Sequence, residues 1–184
     1  RLRGLQPICQ LAGAMRTVSS AKLARLNAVN AAFAAYAQGC RELLEASGAV
    51  LSPPEGADRT LVILLSGNRG LCGSYHNDLF AFFRSLAEPE RQDYIACGRM
   101  AAAYCREKGY PLLDVFSVSD VPQFAEAEAL ADRILALYSG GGIGRVLFVW
   151  GEGVNALRQE PRQLELLAGG GGGEGGGPLV VPAA

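Results

Sequence analysis

Residues Thr60 to Ser66 read Thr-Leu-Val-Ile-Leu-Leu-Ser, and this short run decides the fold class. Its five central residues are all large and apolar, so a strand made from them avoids water on both faces. Such a strand is typical of a parallel sheet that lies between two layers of helices. Pro53 and Pro54 interrupt the chain before the run, and a glycine-containing loop follows it. We therefore expect a buried central strand at the start of an α/β domain.

Strands and helices alternate along the chain beyond this run. The apolar patterns predict three more strands, each preceded by a helix, which gives the order strand, helix, strand, helix, strand, helix, strand. The further predicted strands are 93–97, 112–116 and 145–150, and the predicted helices are 77–86, 99–108 and 123–138. Such alternation indicates a parallel sheet with helices on both faces. The predicted fold class is therefore α/β, with a Rossmann-like parallel-sheet domain over residues 58–167.

Turn residues support these boundaries. Asn77 is expected to cap the first of the three helices, Gly109 to end the second, and Ser139 with glycines 140–142 to end the third. Residues 169–177 are all glycine except Glu174, which is typical of a flexible linker. We therefore assign residues 168–184 to a glycine-rich linker and a short tail.

Residues 1–50 follow a different pattern from the rest of the chain. Residues that are mostly apolar or small recur at steps of three or four, as in a heptad seam: Leu5, Cys9, Ala12, Met15, Ser19, Lys22, Leu26, Val29, Phe33, Tyr36, Cys40 and Leu43. Pro7 suits a first helical turn, and Gly48 suits a helix stop. The predicted helix, 7–46, makes a rod of roughly 60 Å.

No second rod of that length occurs in the sequence. We therefore interpret the helix as half of a coiled coil, whose partner is another chain or a missing segment. The alternative is a long helix that packs across its own sheet.

The charge of this helix is one-sided. Residues 1–41 contain no Asp or Glu, and their basic residues are Arg1, Arg3, Arg16, Lys22, Arg25 and Arg41. This pattern favours a partner lined with carboxylates, with a solvated face, nucleic acid and a membrane surface as the alternatives. The formal net charge of the whole chain is -1, which argues against a nucleic-acid-binding protein.

Composition excludes several other classes. The cysteines are odd in number and include no CxxC pair, so they predict neither a disulfide framework nor a zinc site: Cys9, Cys40, Cys72, Cys97 and Cys105. We expect them to be reduced, in a cytosolic setting. No run of about eighteen apolar residues occurs, so direct membrane insertion is not expected. The basic, acid-free start is similar to a transit peptide, but the apolar pattern continues far beyond a cleavage point.

The loop after the first strand lies where doubly wound sheets usually bind their ligands. A dinucleotide site needs G-x-G-x-x-G and an acid at the end of the second strand. From Gly67 to Gly73 the loop instead reads G-x-x-G-x-x-G, and the second strand ends in Cys97 and Gly98. No G-K-[ST] follows the loop. A tight turn is therefore favoured over a nucleotide site, and no cofactor is predicted.

Two further groups of residues are candidates for chemistry. Cys72 and His76 are the residue types of a nucleophile and its base, but no acid is evidently placed to orient the histidine. We expect Cys72 to be a small buried thiol. The carboxylates Glu126, Glu128 and Asp132 are expected on the wet face of their helix. The sequence predicts no catalytic or metal-binding residue.

Three stretches resemble the gamma subunit of F-type ATP synthases, in the same order and spacing. The first, AMRTVSSAKL over 14–23, is similar to the helix signature AMxxVxxxKL of that family. The second, RGLCG over 69–73 followed by Asn77, is similar to the family's turn directly after a strand. The third, SDVPQF over 119–124, is similar to the family's SDxPxF entry to a helix. Together the three stretches extend the resemblance over roughly residues 1–160.

The resemblance implies a non-catalytic central-stalk subunit. Its helix would turn inside a hexamer of alpha and beta subunits and transmit torque to or from a proton-driven membrane ring, and an epsilon-type stalk subunit would be another partner. By motif position it implies partner contacts at Met15, Arg16, Lys22, Arg25, Leu26, Arg69, Gly70, Leu71, Cys72 and Gly73. The implied location is peripheral on an energy-transducing membrane, on the cytoplasmic side of a bacterial inner membrane or its organelle equivalent.

The sequence departs from the family pattern in three places. Asn68 stands where the family has Asp, and Gly13 precedes Met15 in the helix. The family's C-terminal helix, which pairs with the first, has no counterpart in residues 168–184, which predicts either a fragment or a divergent relative. The alternative function is a Rossmann-like enzyme that binds a nucleotide or small molecule and carries a helical oligomerisation arm. The loop spacing favours the rotor.

Overall fold

The computed structural model describes residues 2–47, 53–155 and 158–167. The chain divides into two compact units, one with the N-terminal helix and one with the α/β domain. The predicted helix stop at Gly48 and the predicted linker and tail at 168–184 lie outside the described residues.

The first unit contains helix α1, Leu2–Ser47, which has 46 residues and a length of about 70 Å. The long helix is confirmed, but its predicted start is wrong, because Pro7 lies inside α1. Proline is tolerated there because it lies little more than one turn from the helix start and interrupts only the bond to the Arg3 carbonyl. Large apolar side chains are exposed along α1: Ile8, Leu11, Met15, Val18, Leu23, Val29, Phe33, Tyr36 and Leu43.

The second unit is an α/β sheet domain. Its strands are β1 (Arg59–Leu65), β2 (Gln92–Cys97), β3 (Leu112–Phe116), β4 (Ile143–Gly153) and β5 (Gln159–Leu167). Its helices are α2 (Tyr75–Leu86), α3 (Arg99–Lys108) and α4 (Phe124–Ser139). The strand order is β3-β2-β1-β4-β5. Strands β1 to β4 are parallel, as predicted, and β5 is antiparallel to β4.

Strand β1 lies at the centre of the sheet and is buried on both faces. Val62 and Leu64 belong to the core against α2 and α3, whereas Leu61 and Ile63 belong to the core against α4. All four side chains are at most 1% exposed. The apolar run that opens the domain therefore forms the doubly covered strand that the sequence predicted.

Strand β5 was not predicted. It reads Gln-Glu-Pro-Arg-Gln-Leu-Glu-Leu-Leu, which is too polar for a buried strand, and proline in a sheet is confined to edge positions. It pairs antiparallel with β4, and cross-strand ion pairs lie along this ladder. Arg162 Nε lies 2.7 Å from Glu152 Oε2, and Arg145 Nε lies 2.7 Å from Glu165 Oε1. Partners that are distant in sequence specify this strand, so local apolar periodicity does not detect it.

Two of the three helix boundaries that were predicted from turn residues are confirmed. Gly109 ends α3 with a left-handed φ of 72°, and α4 ends at Ser139 with Gly140 as its C-cap. The prediction that Asn77 caps α2 is wrong, because α2 begins at Tyr75 and Ser74 is its N-cap. The buried His76 and Leu79 explain the earlier start, since this first turn already packs against the domain core.

Candidate functional site

The loop between β1 and α2 lies at the carboxyl edge of the sheet, and the side chain of Asn68 fixes its base. Asn68 Oδ1 accepts a hydrogen bond from the backbone N–H of Arg99 at 2.9 Å, at the start of α3. Asn68 Nδ2 donates to the carbonyl of Val118, in the segment between β3 and α4. One amide therefore ties the loop to two neighbouring connections, and it needs both a donor and an acceptor to do so.

A close backbone approach adds to this support. Gly98 has a φ of 94°, and a Cβ atom at this position would lie 2.1 Å from the Ser66 carbonyl oxygen. The N–H of Ser66 donates to the Cys97 carbonyl at 2.9 Å, and the N–H of Met100 donates to the Gly67 carbonyl at 3.2 Å. Backbone hydrogen bonds therefore also hold the end of β1 against the start of α3, at a close approach that only a glycine at position 98 permits.

The centre of the loop is held by Arg69. Its carbonyl oxygen lies 2.9 Å from His76 Nε2, and its guanidinium Nη2 lies 3.2 Å from Asp120 Oδ2. The ring of His76 is buried, stacks on Phe80 at 5.6 Å between centroids and meets Tyr75 edge-on at 4.9 Å. The backbone at Arg69 is thus fixed from beneath while its side chain stays 74% exposed.

The tip of the loop projects into solvent. Leu71 is 96% exposed and has a φ of 61°, a conformation that non-glycine residues adopt rarely. Gly73 also has a positive φ of 64°. A large apolar side chain is therefore exposed on a residue whose backbone conformation is costly.

Cys72 is exposed, so the prediction of a small buried thiol is wrong. Leu71 and Gly73 turn the backbone outward on either side of it. The pair Cys72 and His76 is also not arranged as nucleophile and base. His76 Nε2 meets the Arg69 carbonyl, and Nδ1 is buried without a hydrogen-bond partner among the described residues. Neither ring nitrogen therefore receives a proton from the thiol.

The SDVPQF stretch forms the entry to α4 and meets the loop. Glu126 accepts hydrogen bonds from Ser119 Oγ at 2.7 Å and from the Gln123 N–H at 2.8 Å, which completes a capping box. The bond from the Ser119 hydroxyl and the bond from the Gln123 N–H lower the pKa of the Glu126 carboxyl. Glu126 is thus a cap, whereas Glu128 and Asp132 lie on the exposed face as expected.

The second and third motifs of the sequence therefore form one structure, because Asn68 bonds to Val118 and Arg69 pairs with Asp120. The sequence did not predict this contact, which spans about fifty positions of the chain. Among the site residues on α1, Met15, Arg16 and Arg25 are exposed and Lys22 and Leu26 are partly covered. They belong to the first unit, and the loop residues belong to the second.

Neither a metal site nor a membrane span is found in the part of the chain that the structure describes. No group of three or more His, Cys, Asp or Glu side chains in the described ranges is placed to hold a metal ion. In the same ranges, no helix combines the length and the apolar character needed to cross a membrane.

The described chain thus combines a long helix with a parallel-stranded α/β domain, whose β1–α2 loop is fixed at the carboxyl edge of the sheet. The chain belongs to the ATP synthase family, whose model matches residues 1–176. The gamma chain of Desulfitobacterium hafniense is 28% identical over 177 residues, which are 91% of this chain and 63% of that protein. The gamma chain of Alkaliphilus metalliredigens is 28% identical over 176 residues, covering 91% of this chain and 61% of that protein. The chain thus spans about three-fifths of the length of these curated relatives.

Solved structures show the same fold. The central stalk and c-ring structure of the Tetrahymena thermophila mitochondrial ATP synthase matches with a TM-score of 0.65 at 19% identity, over 86% of this chain and 72% of that one. A rotor chain of the Euglena gracilis mitochondrial ATP synthase matches with a TM-score of 0.63 at 16% identity, over 90% and 60% of the two chains. At these identities the likeness concerns the fold.

Proposed function

We propose that this chain acts as the central-stalk gamma subunit of a rotary ATP synthase. It transmits torque between a proton-driven membrane ring and a catalytic hexamer of alpha and beta subunits, and catalysis belongs to the hexamer. The curated relatives are ATP synthase gamma chains, and the family model spans both the helix and the α/β domain. The alternative, a nucleotide-binding enzyme, lacks both the G-x-G-x-x-G spacing and an acid after β2.

Helix α1 is the observation that carries the proposal. It exposes a row of large apolar side chains, with Met15 50% and Phe33 53% exposed, and such a row marks a surface that packs against another helix or protein. Residues 1–41 carry basic side chains and no carboxylate. A partner that offers apolar contacts and acidic side chains around a narrow bore satisfies both features.

The proposed contacts fall into two groups. Met15, Arg16, Lys22, Arg25 and Leu26 face the bore of the hexamer and the acidic loops of the beta subunits. The tip of the β1–α2 loop, from Arg69 to Gly73, contacts the lower helices of the beta subunits. The rigid base of the loop supports this assignment, because a contact that transmits force has to resist bending.

The remaining partners follow from the same role. The α/β domain contacts an epsilon-type stalk subunit and the membrane ring, and the assembly lies on the cytoplasmic side of an energy-transducing membrane. The chain itself is a peripheral component that binds its partners rather than lipid.

Co-expression tests the function directly. The complete reading frame that encodes this chain is expressed with the alpha and beta subunits of the same organism, and the complex is purified through a tag on beta. We expect the chain to co-purify as one copy per hexamer, and ATP hydrolysis by the hexamer to depend on it. Absence of a stable complex would overturn the proposed function.

Thiol labelling tests the proposed loop contact. Cys72 is exposed, whereas burial raises the pKa of Cys97 to about 12 and that of Cys105 to about 11, so these two thiols stay unreactive near neutral pH. We expect rapid alkylation of Cys72 in the free chain and protection in the complex with alpha and beta, measured by peptide mass spectrometry. The matched control is Glu90→Cys. Residue 90 is exposed and lies just before the start of β2, at the edge of the sheet opposite to the β1–α2 loop. Equal labelling of Cys72 in both states would exclude the contact.

A further inference from the structure

An open groove of 560 Å³ lies beside α3 at the carboxyl edge of the sheet, on the side away from β4. We call it the arginine groove. Its lining residues are Asn68, Arg69, Gly98, Arg99, Ala102, Ala103, Arg106, Val115, Phe116 and Ser117. They come from the β1–α2 loop, from α3 and from β3, so the groove depends on the folded domain rather than on one element.

The charge of the arginine groove is uniformly positive along its lining. Three arginines line it and no Asp or Glu does. Asp120, which does not line the groove, pairs with Arg69 at 3.2 Å and partly neutralises it. Arg99 and Arg106 are exposed, and neither forms an ion pair within the described ranges. Two guanidinium groups are therefore available to an anionic ligand.

The backbone around the groove does not suit a phosphate group. The N–H groups of Gly98, Arg99 and Met100, at the start of α3, already donate to Phe116, Asn68 and Gly67. A phosphate site uses such N–H groups as its donors. In addition, Arg99 and Arg106 lie seven positions apart, about 10 Å along α3. Anionic groups that are spread along a ligand fit this spacing better than the oxygens of a single phosphate.

The floor of the groove is apolar. Ala102, Ala103, Val115 and Phe116 line it, and Val115 is 38% exposed although it lies in a strand next to the core. A ligand that combines separated carboxylates with apolar side chains would cover this floor and neutralise both free arginines. From this complementarity we infer that the arginine groove binds an acidic, partly apolar peptide segment of a partner protein.

This surface overlaps the contacts proposed above only at Arg69. Leu71, Cys72 and Gly73 do not line the groove, whereas Asn68 at the base of the loop does. The test uses the purified 184-residue chain alone, so it succeeds or fails independently of assembly with alpha and beta subunits.

The experiment measures binding of a short fluorescent peptide in which Glu and Leu alternate, by fluorescence anisotropy. We expect saturable binding that weakens with added salt, and no binding of the same peptide with Gln in place of Glu. The double variant Arg99→Glu, Arg106→Glu should weaken binding by about tenfold or more, because attraction becomes repulsion at two positions. Circular dichroism verifies its fold, and Arg99→Gln with Arg106→Gln replaces it if the charge reversal unfolds the domain.

Arg91→Glu is the matched control. Arg91 is equally exposed but lies just before β2, at the opposite edge of the sheet from Arg99. We expect it to change the affinity by less than about twofold. The inference is overturned if the wild-type chain does not bind the peptide, if the double variant binds like the wild type, or if Arg91→Glu weakens binding equally. Displacement of the peptide by tripolyphosphate at lower concentration than by unlabelled peptide would indicate a phosphate site instead.

Discussion

The side chain of Asn68 accepts a hydrogen bond from the backbone N–H of Arg99 at 2.9 Å, which joins the β1–α2 loop to the start of α3. The other end of the same amide donates to the Val118 carbonyl. In the family that the sequence resembles, an aspartate is usual at this position. Aspartate can accept the bond from Arg99 but, when ionised, has no proton to donate to Val118. This chain therefore uses an amide to make a second connection that a carboxylate cannot make.

We expect Asn68→Asp to destabilise the α/β domain by about 1–3 kcal/mol, because the Val118 carbonyl loses its donor and faces a negative charge. Thermal unfolding followed by circular dichroism measures the effect. Asn77→Asp is the control for the same change of residue type at an exposed position in the first turn of α2, where the added negative charge should leave stability unchanged or slightly raise it. An unchanged melting temperature for Asn68→Asp would mean that the bond to Val118 contributes no net stability.

Gly98→Ala is expected to be far more damaging than a change at another loop glycine. The new Cβ atom would lie 2.1 Å from the Ser66 carbonyl oxygen at a φ of 94°, and we expect a loss of at least about 3 kcal/mol or failure to fold. Gly70→Ala is the matched control, because a Cβ atom at position 70 would meet no atom within 4 Å. Denaturant unfolding of both variants decides the matter. Equal stability would show that the backbone shifts to accommodate the methyl group.

The sequence predicted the elements that a local pattern specifies. The five apolar residues of β1 need cover on both faces, and Gly109 needs a left-handed φ, so each could be placed from its neighbours alone. Strand β5 could not, because its pairing with β4 and contacts such as that of Arg162 with Glu152, ten positions apart, join residues that are separated along the chain. Helix α2 was placed two residues late because burial of His76, rather than capping chemistry, sets its first turn.

The candidate site shows the same limit. The sequence identified the residues of the RGLCG and SDVPQF motifs but not their contact, since Arg69 and Asp120 are 51 positions apart. The assignment of Cys72 as a buried thiol failed because its exposure follows from the positive φ of Leu71, which no local propensity predicts. The cap formed by Glu126 had only half of the usual sequence signal, because a Glu stands at the third helical position but Gln123 replaces the Ser, Thr, Asp or Asn expected at the N-cap.

Replacement of Glu126 by Gln should remove part of the pH dependence of stability. The hydrogen bonds from Ser119 and Gln123 lower the pKa of Glu126 in the folded state, so the ionised form stabilises the fold. This contribution is present above the unfolded pKa, about 4.3, and is lost as the pH falls through the lower folded pKa. The difference in melting temperature between wild type and Glu126→Gln should therefore be largest above about pH 5 and should shrink towards about pH 3.

Glu128→Gln controls for the loss of one charge on the same helix, because Glu128 is exposed and makes no hydrogen bond in the described contacts. Its melting temperature should follow that of the wild type across the acid range. A Glu126→Gln difference that stays constant from about pH 6 to about pH 3 would assign the effect to packing rather than to the ionised cap.

Helix α1 should make the isolated chain self-associate, because its large apolar side chains are exposed within the described part of the chain. Met15 is 50% exposed and Phe33 is 53% exposed, and Leu26 continues the same heptad seam. Packing two such seams against each other buries apolar surface, and the burial stabilises the oligomer by about 25 cal/mol per Å² of that surface. We expect sedimentation velocity to show a concentration-dependent oligomer for the wild type and a monomer for the triple replacement of Met15, Leu26 and Phe33 by Ser.

The triple replacement also lowers helix propensity, and this second effect has to be separated from the first. Replacement of Ala14, Ala24 and Ala28 by Ser lowers propensity at three exposed positions of α1 and removes no large apolar side chain. This control should self-associate as the wild type does. Its helix content, measured by circular dichroism, should be similar to that of the seam variant. If the seam variant instead sediments like the wild type, the apolar row of α1 is not the contact between copies. If the control also becomes monomeric, association depends on helix stability rather than on the seam, because only the seam variant loses its large apolar side chains.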